Sequence, residues 1–151
     1  MDERGRRGAA HEQRVTALRT RLEQIKPANG YAIDLQRVYS STESVPDTAP
    51  KPYALVRPAA DTRTGQAAGQ GSRVRQFEIE VVFSKATEED ALDSVHVDVL
   101  RALGIGQDLH ERIFPGLIEE EDEATWRWAQ KGETTHSITI TLGVFYVETY
   151  N

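Results

Sequence analysis

Hydrophobic residues recur along the chain with two spacings, one typical of helices and the other typical of strands. Between positions 15 and 25, the apolar residues of one stripe lie three or four positions apart, which predicts an amphipathic helix beginning near His11. The same spacing at positions 92–103 predicts a second helix over residues 87–104. Because only one side of each helix is apolar, both helices should lie on another layer of the protein.

Alternation of apolar and polar residues predicts strands elsewhere. It is clearest at residues 73–83, where Phe77, Ile79 and Val81 should point one way and the polar residues between them the other. Gly- and Pro-containing segments separate this strand from its neighbours. The predicted strands are residues 31–40, 53–57, 73–83, 118–129 and 135–149.

The predicted order of elements is therefore α-β-β-β-α-β-β, which favours an α+β fold. Consecutive strands joined by short connections favour a mixed or antiparallel sheet of about 4–5 strands. Both helices should cover one face of this sheet, so the expected architecture is a two-layer sandwich.

The length of 151 residues fits a single domain. Residues 1–10 are polar and rich in arginine, and we expect them to form a flexible basic arm before a domain at residues 11–151. Residues 59–72 consist mainly of glycine and small polar residues without apolar periodicity. This composition predicts a mobile loop.

Composition and charge narrow the function classes. The chain contains no cysteine, which excludes disulfides, a thiol nucleophile and cysteine-ligated metals. No segment is apolar over the length that spans a membrane, and a net charge of −6 argues against a nucleic-acid-binding protein. The charge is uneven, since residues 1–26 contain seven basic and four acidic residues and residues 86–125 contain two basic and twelve acidic residues. Such asymmetry suits association between proteins.

No residue pattern predicts a catalytic, cofactor-binding or metal site. His96 and Asp98 are two positions apart on a predicted helix and should face different directions, so we interpret His96 as packed at a helix edge. Side chains of an acidic run further along the chain should alternate between the two faces of a strand. They fit a solvated edge strand, a partner-facing patch or, least well, a divalent-metal site. The run comprises Glu119, Glu120, Glu121, Asp122 and Glu123.

Two further features have both a structural and a binding interpretation. The predicted loop contains Gly65, Gly69 and Gly71 but lacks the Lys-Ser/Thr pair of a phosphate-binding P-loop. It is either a flexible hairpin tip or a loop that becomes ordered against a partner. Trp126 and Trp128 share one face of a predicted strand, where they either pack on the sheet core or lie at a subunit interface.

Six segments follow one another in a recognisable layout: VTALRTRLEQI, RVY, ALVRP, RQFEIEVVF, EEDALDSVHVDVLRAL and THSITITLGVFYVETY. This layout, with Tyr146 on the apolar face of the last strand, resembles the tail terminator proteins of long-tailed bacteriophages, also described as minor tail or tail completion proteins. The similarity covers residues 12–150. The arm at residues 1–10 departs from the pattern, and the loop at residues 43–52 is longer than the pattern has.

The resemblance implies a structural virion protein without enzymatic activity, cofactor or metal. Tail terminators form a ring, usually a hexamer, at the head-proximal end of the tail tube in the virion neck, after assembly in the bacterial cytoplasm. The ring stops tube polymerisation and provides the surface for head–tail joining. The implied partners are other copies of this chain, the tail tube protein and a head–tail connector protein, and DNA could pass through the ring.

A head-to-tail ring contact uses two different patches of one molecule. We expect the basic surface of the first helix and the acidic run to be these complementary patches, and the predicted loop to become ordered against the tube or the connector. The tryptophan pair is a further interface candidate. The remaining candidate interface residues are Arg14, Arg19, Arg21, Asp61 and Arg63.

Three alternative functions stay open. One is another neck protein, a head-completion or connector component that binds the portal. The second is a small metal-dependent hydrolase that would use His96, Asp98 and the acidic run. The third is a bacterial adaptor unrelated to phage.

Overall fold

Strands dominate the structure, which is a mostly-sheet fold. The computed structural model describes residues 3–106 and 112–150. In chain order, its elements are α1 (Glu3–Leu22), a 3-10 helix (Pro27–Asn29), β1 (Arg37–Ser40), β2 (Tyr53–Ala67), β3 (Gln70–Ser84), α2 (Glu89–Ala102), β4 (Leu117–Arg127) and β5 (Thr135–Thr149).

The described strands form one five-stranded sheet with the order β1-β2-β3-β5-β4. β1 is parallel to β2, and the other neighbouring pairs are antiparallel. The ladder between β3 and β5 runs without irregularity from Gln70, opposite Thr149, to Ser84, opposite Thr135. These two strands therefore form the centre of the sheet.

The core lies between the two helices and one face of the sheet. Phe77 and Ile79 of β3 and Ile140 of β5 are almost completely buried in one cluster with Leu22 of α1 and Leu92 of α2. Burial of each such side chain contributes roughly 1.5–3 kcal/mol. The apolar residues that repeat about every 3.6 positions along the helices therefore pack against the apolar residues that repeat every two positions along the strands.

Among the described elements, no helix covers the opposite face of the sheet, which is largely polar near its centre. Arg57 of β2 forms ion pairs of 3.0 Å with both Glu78 and Glu80 of β3. Thr139 and Thr141 of β5 lie opposite the same two glutamates. This face is therefore the open side of the sheet.

The predicted fold class was wrong. The expected α+β sandwich of the order α-β-β-β-α-β-β is instead a mostly-sheet fold with a mixed sheet, and a 3-10 helix precedes β1. Residues 31–36 also lie outside any strand, because the backbone N–H groups of Ala32 and Ile33 donate to the Asp98 carboxylate, at 3.2 and 2.9 Å, rather than to a neighbouring strand.

The predicted mobile loop at residues 59–72 was also wrong, because β2 and β3 continue through it as a hairpin. The turn that joins the two strands contains Gly69, whose φ of 72° suits a tight turn. Apolar periodicity missed these strands because they are held by backbone pairing and polar cross-strand contacts. Thr64 Oγ1, for example, lies 3.2 Å from Ser72 Oγ.

Residues 3–10 are helical and begin α1, which corrects the predicted flexible arm for that range. Residues 1 and 2 lie outside the described residues. Ala9 and Ala10 favour a helix, and the guanidinium of Arg7 forms an ion pair with the Glu148 carboxylate of β5. This ion pair attaches the first part of α1 to the sheet.

We expect Gly104→Ala to destabilise the fold strongly. Gly104 has a φ of +88°, and a Cβ there would collide with the backbone carbonyl of Arg112. Gly132 is a matched control, because its φ is +86° and nothing lies within 4 Å of an added Cβ. Gly132→Ala should cost about 1–2 kcal/mol for the left-handed backbone alone.

Gly104→Ala should cost about 1–3 kcal/mol more than this control, because the collision adds to the same backbone penalty. Urea denaturation of the two variants measures the difference. Equal free energies of unfolding would show that the close approach at Gly104 does not constrain the fold.

Candidate functional site

One stretch of β5 has an open hydrogen-bonding edge. β4 pairs with β5 only as far as Leu117, opposite Val144, whereas β5 continues beside β3 to Thr149. Among the described residues, no strand pairs with the other side of residues 145–149. Phe145 N–H donates to the Gly116 carbonyl on that side at 2.7 Å. Because alternate residues point their backbone groups the same way, Val147 also presents its N–H and C=O there.

The open edge is apolar on the helix-free face of the sheet. Phe145 and Val147 are 44% and 53% exposed, whereas Phe and Val side chains are among those most often buried in folded proteins. A cavity of about 440 Å³ adjoins the edge and separates it from α1. Its apolar lining includes Ala10, Ala17, Phe114, Pro115, Phe145 and Val147.

The other exposed edges of the described sheet are protected against pairing. β1 has only four residues. The part of β2 that extends beyond β1, residues 57–67, contains Pro58 and two register shifts. β4 bears the acidic run, and its register with β5 shifts between Ile118 and Glu123. Short length, proline, irregular register and charge all discourage the addition of a strand.

The edge at residues 145–149 has none of these protective features. Its one charged residue, Glu148, is only 3% exposed and points toward α1, where it pairs with Arg7. An unprotected, apolar strand edge is suited to accept an extended segment of another chain. Residues 145–149 are therefore the candidate assembly site, which we call the open β5 edge.

A polar network holds the helix side of the open β5 edge. Asp61 of β2 accepts hydrogen bonds from Arg73 Nε at 2.6 Å and from the Tyr146 hydroxyl at 2.6 Å. Arg75 lies 3.3 Å from the same carboxylate. These residues extend the core face of the sheet beyond its apolar part, so polar contacts replace apolar packing there.

Residues of α1 complete the network. The His11 ring meets the Tyr146 ring edge-on with 5.0 Å between centroids, and the Arg14 guanidinium lies 4.5 Å from the Tyr146 ring centroid. A nitrogen of Arg14 lies 3.0 Å from His11 Nδ1. Because a guanidinium only donates, Nδ1 accepts, and the neutral imidazole has its proton on Nε2.

None of the network's perturbed acid–base groups titrates near neutral pH. Burial, together with the charges of Arg75 and Arg14, lowers the pKa of His11 to about 4. Burial and the bond to Asp61 raise the pKa of Tyr146 to about 12. For Asp61, burial acts to raise the pKa, but Tyr146, Arg73 and Arg75 outweigh it and lower the pKa. General acid–base chemistry is most efficient near the operating pH, so the network favours a positioning role.

The three candidate arginines of α1 do not form one basic patch. Arg14 belongs to the network with His11 and Tyr146. Arg19 donates to the Val38 carbonyl at 3.1 Å and pairs with Glu43 at 3.1 Å. Arg21 donates to two backbone carbonyls. Arg14 and Arg21 lie about two turns apart on the same side of the helix and Arg19 on another, and each arginine has its own contacts within the subunit.

The acidic run lies on the outer strand β4. Glu119, Glu120 and Glu123 are exposed, whereas Asp122 lies 3.0 Å from His96 Nε2 of α2. The side chain of Glu121 lies outside the described residues. Within residues 3–106 and 112–150, no group of three or more histidine and carboxylate side chains is placed to hold a metal ion.

The candidate residues of the predicted loop lie along the β2–β3 hairpin. Asp61 is the centre of the network, and Arg63 donates to Gln66 Oε1 at 2.9 Å near the tip. Gly65 faces Ser72, and Gly71 faces the Tyr150 ring. Gly69 makes the turn.

The tryptophan pair lies at the C-terminal end of β4. Trp126 is opposite Ile138 and is 45% exposed, and Trp128 is 38% exposed. The Trp128 ring contacts the His136 ring edge-on at 5.0 Å between centroids. Packing in the sheet core, the first of the two interpretations, was therefore wrong for both residues.

The open β5 edge itself was missed by sequence reasoning. Phe145 and Val147 look like ordinary strand residues in the sequence. The one usable indication is a difference in length, since the predicted final strand is longer than the strand before it. The exposure of Phe145 and Val147 becomes evident only from the register, which shows that the pairing of β4 ends opposite Val144.

Comparison with known proteins gives no assignment, since no protein-family model and no curated protein matches the chain. The described helices include none with both the length and the apolar character needed to cross a membrane.

We expect the stability of the protein to fall between pH 7 and pH 5 because of His11. Its pKa is about 4 in the folded state and about 6.5 in the unfolded chain, so only the unfolded chain takes up a proton in this range. This stabilisation is complete above pH 6.5 and is lost as the pH falls toward 4. The loss by pH 5 should be about 2 kcal/mol.

His11→Gln provides the comparison, because an amide stays neutral throughout this range. Urea denaturation at the two pH values should show a smaller loss in the variant than in the wild type. An identical loss in both proteins would contradict a buried, neutral His11.

Proposed function

We propose that this chain is a structural virion protein of a long-tailed bacteriophage, a tail terminator. Copies of the chain form a ring, for which the resemblance implies six subunits, on the head-proximal end of the tail tube. The ring stops tube polymerisation and provides the surface on which the head joins the tail. In this role the chain has no catalytic activity, cofactor or metal.

The observation that best supports an assembly role is the open β5 edge. The protein protects β1, β2 and β4, yet no described strand pairs with the outer side of residues 146–149, and Phe145 and Val147 are exposed. Such an edge is an aggregation risk unless another chain covers it. In a virion protein, a neighbouring subunit or the tube would cover it.

The polar network supports the same role. It fixes α1 against β2 and β5 through Asp61 and Tyr146, so the surroundings of the open edge are ordered before a partner arrives. Ordering an interface in advance lowers the entropy lost on binding. The layout similarity over residues 12–150 supports the more specific part of the proposal, a tail terminator, within the wider class of assembly proteins.

A stop codon early in this gene should give phage tails that are too long and irregular in length, beside DNA-filled heads without tails. Without a terminator, nothing ends tube polymerisation. Negative-stain electron microscopy of the lysate measures both features. A plasmid copy of the gene should restore tails of normal length and is the control.

Other outcomes of this experiment identify the alternatives. Tails of normal length that are not attached to heads would contradict a terminator and indicate a connector component. Infectious particles of normal appearance would contradict any neck function and reopen the adaptor and hydrolase alternatives.

Val147→Pro should leave the fold intact and prevent complementation of the stop codon. Proline removes an N–H that faces the open side, and its ring blocks a strand at that position, whereas a proline on an edge strand is tolerated. Val147→Thr is the matched control, because it retains both the N–H and the β-branched shape. Tail length in electron micrographs and urea denaturation of the purified variants are the two measurements.

The two measurements separate assembly from folding. A folded Val147→Pro protein that restores normal tails would show that the open β5 edge takes no part in assembly. Loss of assembly in the Val147→Thr protein as well would point to side-chain packing instead of strand pairing.

A further inference from the structure

Three arginines line a cleft where the C-terminal ends of the two helices meet. Arg21 of α1, Arg101 of α2 and Arg112 surround about 500 Å³ together with Tyr31 and Asn29. No carboxylate is among the lining residues that the structure describes. We call this feature the arginine cleft.

Contacts within the subunit hold two of these guanidinium groups in place. Arg21 NH1 donates to the carbonyls of Ala102 and Arg112, at 3.2 and 2.7 Å. Arg101 NH1 donates to the Gly30 carbonyl at 3.2 Å, and its guanidinium lies 4.9 Å from the Tyr31 ring centroid. Since a guanidinium has five N–H donors, most donors stay available for an anion.

The charge of the cleft is only weakly compensated within the described residues. The carboxylate near the cleft is that of Asp98, 3.8 Å from Arg101 NH1. Asp98 is 2% exposed and accepts the backbone N–H groups of Ala32 and Ile33. Neither Arg21 nor Arg112 forms an ion pair with another described side chain. The described part of the cleft is therefore positively charged and suits carboxylate or phosphate groups.

The same chain has a complementary acidic segment. Glu119, Glu120 and Glu123 of β4 are exposed, and within the described residues they form no ion pair. Between the paired residues Ile118 and Glu123, the register with β5 shifts. A strand bulge of this kind bends the strand and interrupts its ladder, so the segment is presented at the rim of the sheet.

We propose that the arginine cleft of one copy binds the acidic β4 segment of a second copy. This inference rests on the proposed function, since it names a contact that holds the ring together. Arginine and carboxylate groups form paired, charge-assisted hydrogen bonds. The cleft and the segment share no residue, so the contact is head-to-tail, and repetition with the right rotation closes a ring.

A second copy fits the cleft better than a nucleic acid does. The chain has a net charge of −6, which opposes the approach of a polyanion, and the cleft offers only three cationic side chains. A second acidic group at Glu88, Glu89, Asp90 and Asp93 has its own explanation, because it lies at the N-terminal end of α2, where the helix dipole stabilises acids. The exposed β4 acids lie at no helix terminus, and within the subunit they serve only to protect the sheet edge.

Reversal of one charge on each side, alone and together, tests the contact. Arg112→Glu and Glu120→Arg should each weaken self-association of the purified protein about tenfold or more, whereas the double variant should recover most of it. Both side chains are exposed, so the fold should tolerate each change. Sedimentation velocity at low and high salt measures association, and complementation of the stop codon by each variant measures tail length.

The controls make the same charge changes elsewhere. Lys131→Glu and Asp47→Arg alter exposed residues outside both surfaces and should behave like the wild type. Asp93→Arg tests the acids of α2. Rescue of Asp93→Arg, but not of Glu120→Arg, by Arg112→Glu would overturn the choice of the β4 segment. Loss of duplex DNA binding by Arg112→Glu with unchanged self-association would overturn the protein partner.

The two proposals can fail separately. If the stop codon gives overlong tails but Arg112→Glu and Glu120→Arg both restore normal length, the inference is wrong and the tail terminator stands. If the stop codon gives normal phage while the charge exchange restores self-association, the contact is real and the tail terminator is wrong. Failure of the double variant to exceed the single variants in either assay also overturns the inference.

Discussion

The pairing of β5 is the constraint on which the rest of the structure depends. Along residues 137–144, β5 has a strand on each side, and beyond Val144 it has β3 alone. The doubly paired part presents Ile138 and Ile140 to the helices and forms the centre of the core. The singly paired part presents an edge to the outside, so one strand provides both the stability and the candidate assembly site.

The change from apolar to polar contacts along this strand explains how α1 is held. Near Leu22, the helix is buried against the apolar core, whereas near His11 it rests on Tyr146 and the Asp61 network. Buried polar groups are costly unless they find partners. Asp61 has three donors within 3.3 Å, and this saturation allows the sheet to extend beyond its apolar part without losing the helix above it.

Apolar periodicity predicted the parts of the fold that depend on burial and missed the parts that depend on pairing. The alternation at Phe77, Ile79 and Val81 and the stripes of both helices correspond to buried positions. Residues 59–72 contain hardly any apolar side chains, so their place in a long hairpin follows from the backbone ladder with β3, which a single sequence does not reveal. The open β5 edge was unpredictable for a related reason, because exposure of Val147 depends on where another strand ends.

Edge protection and partner binding are compatible interpretations of the acidic run on β4. Exposed carboxylates repel an identical strand that approaches in register, which prevents uncontrolled edge-to-edge pairing. The same carboxylates attract a site built from arginines, so one segment rejects the wrong contact and favours the right one. The open β5 edge has the opposite property, because apolar side chains and free backbone groups bind strongly but discriminate poorly. A subunit that combines both surfaces would obtain affinity from the edge and orientation from the charges, which is what a ring of fixed size requires.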